Sequence, residues 1–512
     1  MPPAAESAAN APAHASTDDT PADAGPNRRD PVLHRGLGVG AIVFMVVAAA
    51  APMSVVAANL PIVIAVSGNV GAAAYFVVAT AVLLLFAVGF TLMSKHVRNA
   101  GAFYSYVQAG LGRIPGVGAA TLALGSYVVL LVGVVAYLGA AVSNAIARYA
   151  GAATPWWLWA LLALGLVGVL GYRDIELSSK VLGVLLVAET LIIVVLDVGI
   201  VWHGGRAGLN LEPFAPATIV TGSPGLGIMF ALFGFIGFEA TAVFRNEAKD
   251  PDRTIPRATY LALVSIGVFY AASSWVVVMG AGVADAVADA TRDPQNMVFD
   301  LAARYLGPLA RDIMSVLLVT STLACVLSFH NVITRYQFTL GRAGVLPGSL
   351  GRVHPVHGAP SRSSLVVSAV SLASVGVVAL TRIDPVRQAY TWLSGAATLG
   401  IVALMALTCL AVLVFFRGNR RDQGAWRTVT APGLGLLGLC VVLGLVLANF
   451  PGLVGGTAEA VVVALLVAAT FLAGIVVALV LRARRPGTYH DLVEPAAVPT
   501  GGPRPPREQE LM

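Results

Sequence analysis

Apolar residues in this chain run in long segments separated by short polar stretches, near 37–66, 70–94, 116–147, 156–172, 177–202, 219–244, 258–283, 309–336, 363–381, 388–416, 432–450 and 458–481. A helix that crosses a bilayer needs about 20 consecutive apolar residues. The pattern therefore predicts an all-α polytopic membrane protein of about twelve transmembrane helices.

Composition removes the soluble alternative. The chain is 57% hydrophobic and 11% charged, whereas a soluble domain is about a quarter charged. At 512 residues, length alone suggests more than one domain. The apolar segments follow one another without a polar block long enough to fold separately, so a single membrane domain over 33–484 is the better reading. Both ends are Pro-rich and polar and cannot bury enough apolar surface to order themselves. Residues 1–32 and 485–512 are therefore expected to be disordered cytoplasmic tails, dispensable for transport. The first thirty or so residues lack the apolar core of a secretory signal, which leaves insertion to the first helix.

A formal charge of +6 raises the question of nucleic acid, and the placement of the basic residues answers it. They sit in short loops at the membrane edges, so no nucleic-acid partner is expected. With the N-terminus inside, about 25 of the 32 Lys and Arg residues fall on the cytoplasmic side and about 7 outside. That set includes Arg28, Arg29, Arg35, Lys95, Arg98, Arg253, Arg257, Arg342, Arg352, Arg420, Arg421 and Arg482 to Arg485. An even number of helices then returns the C-terminus to the cytoplasm, and the cytoplasmic membrane is the expected location. Cys325, Cys409 and Cys440 lie inside apolar runs without the paired spacing of a metal site or disulfide framework.

Two segments are poor continuous helices. The first contains Ala49, Ala50, Ala51, Pro52, Met53 and Ser54, where the proline removes an amide donor and clashes with the preceding turn. The sixth contains Phe233, Gly234, Phe235, Ile236, Gly237, Phe238 and Glu239, whose two glycines permit unwinding. In lipid, freed backbone groups are tolerated only where they line a cavity or meet a substrate. Pro and Gly are also common in membrane helices as kinks and packing positions, and for Pro52 alone that is the simpler account. As a pair, five helices apart, the interruptions are the trace of a 5+5 inverted-repeat transporter with discontinuous helices one and six.

At these residues the chain resembles the amino acid-polyamine-organocation (APC) permease superfamily. Phe235-Ile236-Gly237-Phe238-Glu239, followed by Asn246-Glu247-Ala248-Lys249-Asp250-Pro251 and Arg253-Thr254-Ile255-Pro256-Arg257-Ala258, is similar to that family's most recognisable stretch. Arg342-Ala343-Gly344-Val345-Leu346-Pro347, with His354-Pro355 and Gly358-Ala359-Pro360, resembles its loop after the eighth helix. Asn99-Ala100-Gly101-Ala102-Phe103-Tyr104 with Tyr106 matches a third element. The resemblance covers roughly residues 33 to 482 and implies a LeuT-like fold and a permease. Where family members often carry Gly-Ser-Gly in the first helix, this chain has Ala50-Ala51-Pro52.

A zwitterionic amino acid presents a carboxylate and an ammonium, and a broken helix offers a partner for each. Amides at the start of a half-helix attract the carboxylate, with those near Pro52, Met53 and Ser54 as candidates. Carbonyls around Gly234 to Gly237 and of Val47 to Ala49 would accept from the ammonium. The substrate-binding set is thus Ala50, Ala51, Pro52, Met53, Ser54, Phe233, Gly234, Phe235 and Gly237. Family position makes Phe233 an aromatic gate, and ordinary helix packing is the other account of it.

Ionisable residues inside a bilayer are functional hypotheses by default. Here they are Glu189 and Asp197 in the fifth helix, Glu239 in the sixth and His330 in the eighth. Glu189 lies at roughly the position where proton-coupled relatives place a lysine, so it is the first coupling candidate; a protonated, hydrogen-bonded packing residue is the alternative. Glu239 directly follows the break and can brace it or take part in coupling. Asp197 and His330 lie toward helix ends, and the charges Glu247, Lys249, Asp250, Asp252 and Arg253 read as a solvated turn or an inner-gate ion pair.

The expected function is a secondary transporter for amino acids or related amines, by proton symport or exchange. A polyamine or organocation transporter is the alternative within that class, and a transporter-like membrane sensor the alternative outside it. An enzyme would need clustered metal ligands or a nucleophile with a base, and a primary pump a Gly-rich phosphate loop; neither pattern is present. No cofactor or metal is expected. The partners are a small-molecule substrate, protons and the lipid bilayer.

Overall fold

The computed structural model describes residues 37–97, 102–173, 179–243, 245, 248–354, 359–417 and 424–492. Both N-terminal tail and most of the C-terminal one lie outside them, as do Arg28, Arg29, Arg35, Arg98, Arg420, Arg421, Asn99 to Gly101, Asn246, Glu247, Pro355 and Gly358. The regular structure of the described residues is helical, with one isolated backbone bridge between Leu37 and Ala248.

The first half of the chain forms α1 (Val39–Ala50), α2 (Leu60–Ser67), α3 (Ala72–His96), α4 (Ala102–Leu111), α5 (Arg113–Ala150), α6 (Trp156–Tyr172), α7 (Ser179–Trp202), α8 (Pro216–Ile219), α9 (Pro224–Phe233) and α10 (Ala240–Val243). The second forms α11 (Pro251–Ala281), α12 (Ala286–Arg292), α13 (Met297–Leu306), α14 (Pro308–Arg342), α15 (Ser361–Thr381), α16 (Thr391–Phe415), α17 (Ala431–Val454), α18 (Thr457–Arg484) and α19 (Pro486–Asp491). Prolines open α8, α9, α11, α14 and α19, where a missing N–H costs nothing because the first turn has no acceptor for it.

Among the described residues, ten spans are long and apolar enough to cross a membrane. The first of them, Val39–Ser67, includes α1, a π-helical turn and α2. Two shorter apolar helices, α6 and α9, lie at the fourth and sixth predicted segments. The chain is therefore an all-helical, multi-pass membrane protein.

The faces of these helices separate lipid from protein. On α7, Val184, Val187, Leu191, Val194 and Val198 are exposed, whereas Leu186, Glu189, Ile193, Leu196 and Ile200 are buried. Both sets repeat every three or four residues, which is one stripe each on opposite sides of a helix. An exposed apolar stripe of this kind belongs in hydrocarbon. Inside, α5 is packed by α6, α14, α16 and α18, and α11 by α1, α3 and α7.

Part of the stretch expected to be a disordered tail is built into the fold. Pro486–Asp491 forms α19, and Leu492 is buried against Val117, Ala478 and Leu481. Arg113 donates to the His490 carbonyl at 3.1 Å and lies over the Tyr489 ring at 5.2 Å. Gln108 donates to the Leu492 carbonyl. Leu492 and Tyr489 supply the apolar contact that a reading of the tail's polar composition passes over.

Candidate functional site

The helix-one break is sharp. α1 ends at Ala50, and Ala51 takes a left-handed conformation, φ 47° and ψ 70°, its N–H bonding the Ala48 carbonyl at 3.2 Å. A left-handed alanine is strained, because its Cβ crowds the following carbonyl. Pro52 has no amide to donate, and the chain resumes through the π-helical turn Ser54–Asn59. The Ala50 carbonyl accepts from the Tyr270 hydroxyl at 3.1 Å. Glu189 on α7 accepts from the Met53 amide and from the Ser321 hydroxyl on α14. Ser54 continues the string, with its Oγ 3.0 Å from Thr322 Oγ1 and 3.4 Å from Ser321 Oγ.

The helix-six break is spread over several residues. After α9, Phe235, Ile236 and Phe238 donate to carbonyls three residues back, Leu232, Phe233 and Phe235, at 3.0–3.1 Å. Gly237 sits at φ +115°, a backbone region that side chains rarely adopt. Its N–H donates to Glu239 Oε2 at 2.9 Å, and Glu239 Oε1 accepts from the Tyr127 hydroxyl on α5. Glu239 therefore braces the break from within the segment it follows.

Between the two breaks lies a small cavity of about 40 Å³. Of the residues expected to bind substrate, Ala50, Ala51, Ser54, Phe233 and Gly234 line it. The other four do not. Pro52 and Met53 are buried behind it, with the Met53 amide already engaged by Glu189, so that amide is not open to a substrate carboxylate. Phe235 points into packing with Phe76 and Tyr270, ring centroids 6.4 Å and 5.9 Å away. Gly237 shapes the backbone without reaching the cavity, and a Cβ added there would meet Ala49 at 3.7 Å. A Cβ on Gly234 would meet Val55 Cγ1 at 3.1 Å, so its small size serves helix approach.

Neither coupling candidate lines the cavity. Glu189 is buried behind the helix-one break, with Oε2 lacking a partner among the described residues. Asp197 accepts from Ser273 at 2.6 Å, and His330 Nε2 lies 3.0 Å from Ser368 Oγ, both away from the cavity. Of the loop charges, Asp250 and Arg253 form an exposed pair at 3.7 Å, and Asp252 pairs with Arg245 at 2.7 Å. Among the described residues, no three His, Cys, Asp or Glu side chains group to hold a metal ion.

Other helices complete the wall. Leu130, Val134 and Tyr137 come from α5; Thr322, Cys325 and Phe329 from α14; Asn59 and Tyr390 from the ends of two π-helical turns. Tyr390 packs against Tyr137 in a tilted pair, centroids 5.0 Å apart, and meets Phe233 edge-on at 5.9 Å, so Phe233 belongs to a three-ring cluster at the cavity. Thr322, Cys325 and Phe329 follow helical spacing, the one signal that could have pointed to them in advance.

A family model described as amino acid permease matches residues 37–480. The branched-chain amino acid permease BcaP of Bacillus subtilis is 24% identical over 400 residues, covering 74% of this chain and 80% of that protein. The methylthioribose transporter of Bacillus subtilis is 24% identical over 390 residues, 74% of each chain. The low-affinity putrescine importer PlaP of Escherichia coli is 25% identical over 232 residues, 43% of this chain and 49% of that one.

Proposed function

The chain belongs to the amino acid permease family, and from that premise we propose that it is a secondary transporter carrying an amino acid across the cytoplasmic membrane, by proton symport or by exchange. The observation that carries the reading is a cavity lined from both broken helices, by Ala50, Ala51 and Ser54 on one side and Phe233 and Gly234 on the other. The Ser54 amide and neighbouring half-helix dipole favour the substrate carboxylate, while carbonyls freed at the two breaks favour its ammonium.

In this reading helices one to five and six to ten are inverted repeats of a twelve-helix LeuT-like fold, with the last two peripheral. Residues 33–484 are the transporting domain, both termini face the cytoplasm, and the flanking segments 1–32 and 485–512 are tails, the second of them beginning with the packed α19. The paired interruptions and the excess of basic residues on one side support it.

Glu189 is the coupling group of the proposal. It joins the helix-one break to α7 and α14 through Met53 and Ser321, so a proton gained or lost there acts on three elements at once. A polyamine substrate is the second reading, favoured by the local similarity to the putrescine importer. Uptake into proteoliposomes, screened across labelled amino acids and amines with and without an imposed proton gradient, tests the proposal. Accumulation of an amino acid supports it, and absence of uptake for every solute overturns it.

A further inference from the structure

The cavity wall carries no charged side chain, and neither Glu189 nor Glu239 lines it. Glu189 is held by the Met53 amide and Ser321 behind the first break, and Glu239 by Gly237 and Tyr127 behind the second. The part of the wall remote from the breaks is formed by Leu130, Val134 and Phe329, with only neutral polar groups among them, the hydroxyls of Tyr137, Thr322 and Tyr390 and the thiol of Cys325. A side-chain ammonium entering this space would lose its water without gaining a carboxylate, and a diamine would do so with charge that no half-helix dipole offsets. An aliphatic side chain of a zwitterion meets the opposite situation, since burial there favours it.

Among the described residues, one buried side-chain oxygen on the wall lacks a partner. Asn59 is fully buried, and its Nδ2 donates to the Phe230 carbonyl at 2.8 Å. A carbonyl only accepts, so that bond fixes which end of the carboxamide is nitrogen. Asn59 Oδ1 is left as a buried acceptor without a partner among the described residues, on a residue that lines the cavity. Buried acceptors are normally filled.

We propose that the cavity selects an amino acid with an uncharged aliphatic side chain and that Asn59 Oδ1 accepts a hydrogen bond from a substrate N–H. The inference rests on the transporter reading and names its substrate class. Asn59 then has two functions: its Nδ2 ties the helix after the first break to α9, and its Oδ1 reads the solute.

The test compares leucine, lysine and putrescine in two assays, counterflow into proteoliposomes and the shift of melting temperature that each solute gives the purified protein. Leucine should exchange and stabilise, with lysine and putrescine weaker on the order of tenfold or more. Lysine or putrescine matching leucine in both assays would overturn the substrate class and leave the transporter reading standing. If no amino acid or amine exchanges or stabilises, the transporter reading itself falls. Asn59→Asp keeps an acceptor at this point and adds a negative charge, so it should move the lysine-to-leucine ratio toward lysine by about tenfold. A variant that melts lower with that ratio unchanged would reduce Asn59 to a tie between helices and overturn its role in recognition.

Discussion

The two broken helices open on one cavity and are broken by opposite means. In the first, the disruption is concentrated in Ala51 and Pro52, one left-handed and one without an amide, and the freed Met53 amide is taken by Glu189 from another helix. In the second, disruption is spread from Gly234 to Glu239, a glycine absorbs the unusual φ, and the freed Gly237 amide is taken by a carboxylate two residues away. The first break is thus coupled across elements, to α7 and α14, while the second is largely braced by itself, with Tyr127 as its tie to α5. A change of protonation at Glu189 therefore reaches further than one at Glu239.

The largest expected effect is at Gly237. Gly237→Leu should reduce uptake on the order of tenfold or more while leaving membrane insertion intact, because φ +115° is closed to a branched side chain. Gly237→Ala separates conformation from size. Its Cβ would meet Ala49 at an ordinary 3.7 Å, yet it should cost about 1–2 kcal/mol of stability in a denaturation assay. An alanine variant as stable and active as wild type would show that the second break does not depend on this glycine.

Glu189→Gln comes next, and it addresses the asymmetry directly. It should preserve exchange between equal pools and abolish acceleration by an inward proton gradient, measured beside wild type at matched protein density. Unchanged gradient dependence would remove Glu189 from coupling and make the first break as self-contained as the second. Tyr127→Phe removes the donor to Glu239 and should lower stability by about 1–3 kcal/mol, slowing transport without altering its gradient dependence. A Tyr127→Phe protein that loses gradient dependence would transfer the coupling role to Glu239. The smallest effect belongs to Ala51→Gly, which relieves a left-handed alanine and should raise stability by about 0.5–1 kcal/mol, read as a higher melting temperature.

Much of this architecture was legible in the sequence because the bilayer imposes a length on apolar runs and forbids unsatisfied backbone. Pro52 marked one break and Gly234 with Gly237 the other, for reasons internal to a few adjacent residues. What lay hidden depends on contacts between distant segments. Nothing local to Asn59 says that its amide meets the Phe230 carbonyl, and nothing local to Met53 says that Glu189 lies 136 positions along the chain to claim its N–H. Tyr137 and Tyr390 were invisible for the same reason. The spacing of Thr322, Cys325 and Phe329 was present, but a helix that is apolar on most sides does not announce which stripe meets a cavity and which meets a neighbour.

The short α19 has a practical consequence at the opposite end of the molecule. Because Leu492 is buried beside Val117 and Arg113 grips the His490 carbonyl, the last packed residue among those described lies beyond the last apolar span. A reporter or affinity handle spliced at Arg485, where hydropathy suggests the protein is finished, would evict this plug and leave Val117, Ala478 and Leu481 uncovered. Joined after Leu492, the same appendage leaves the plug in its socket.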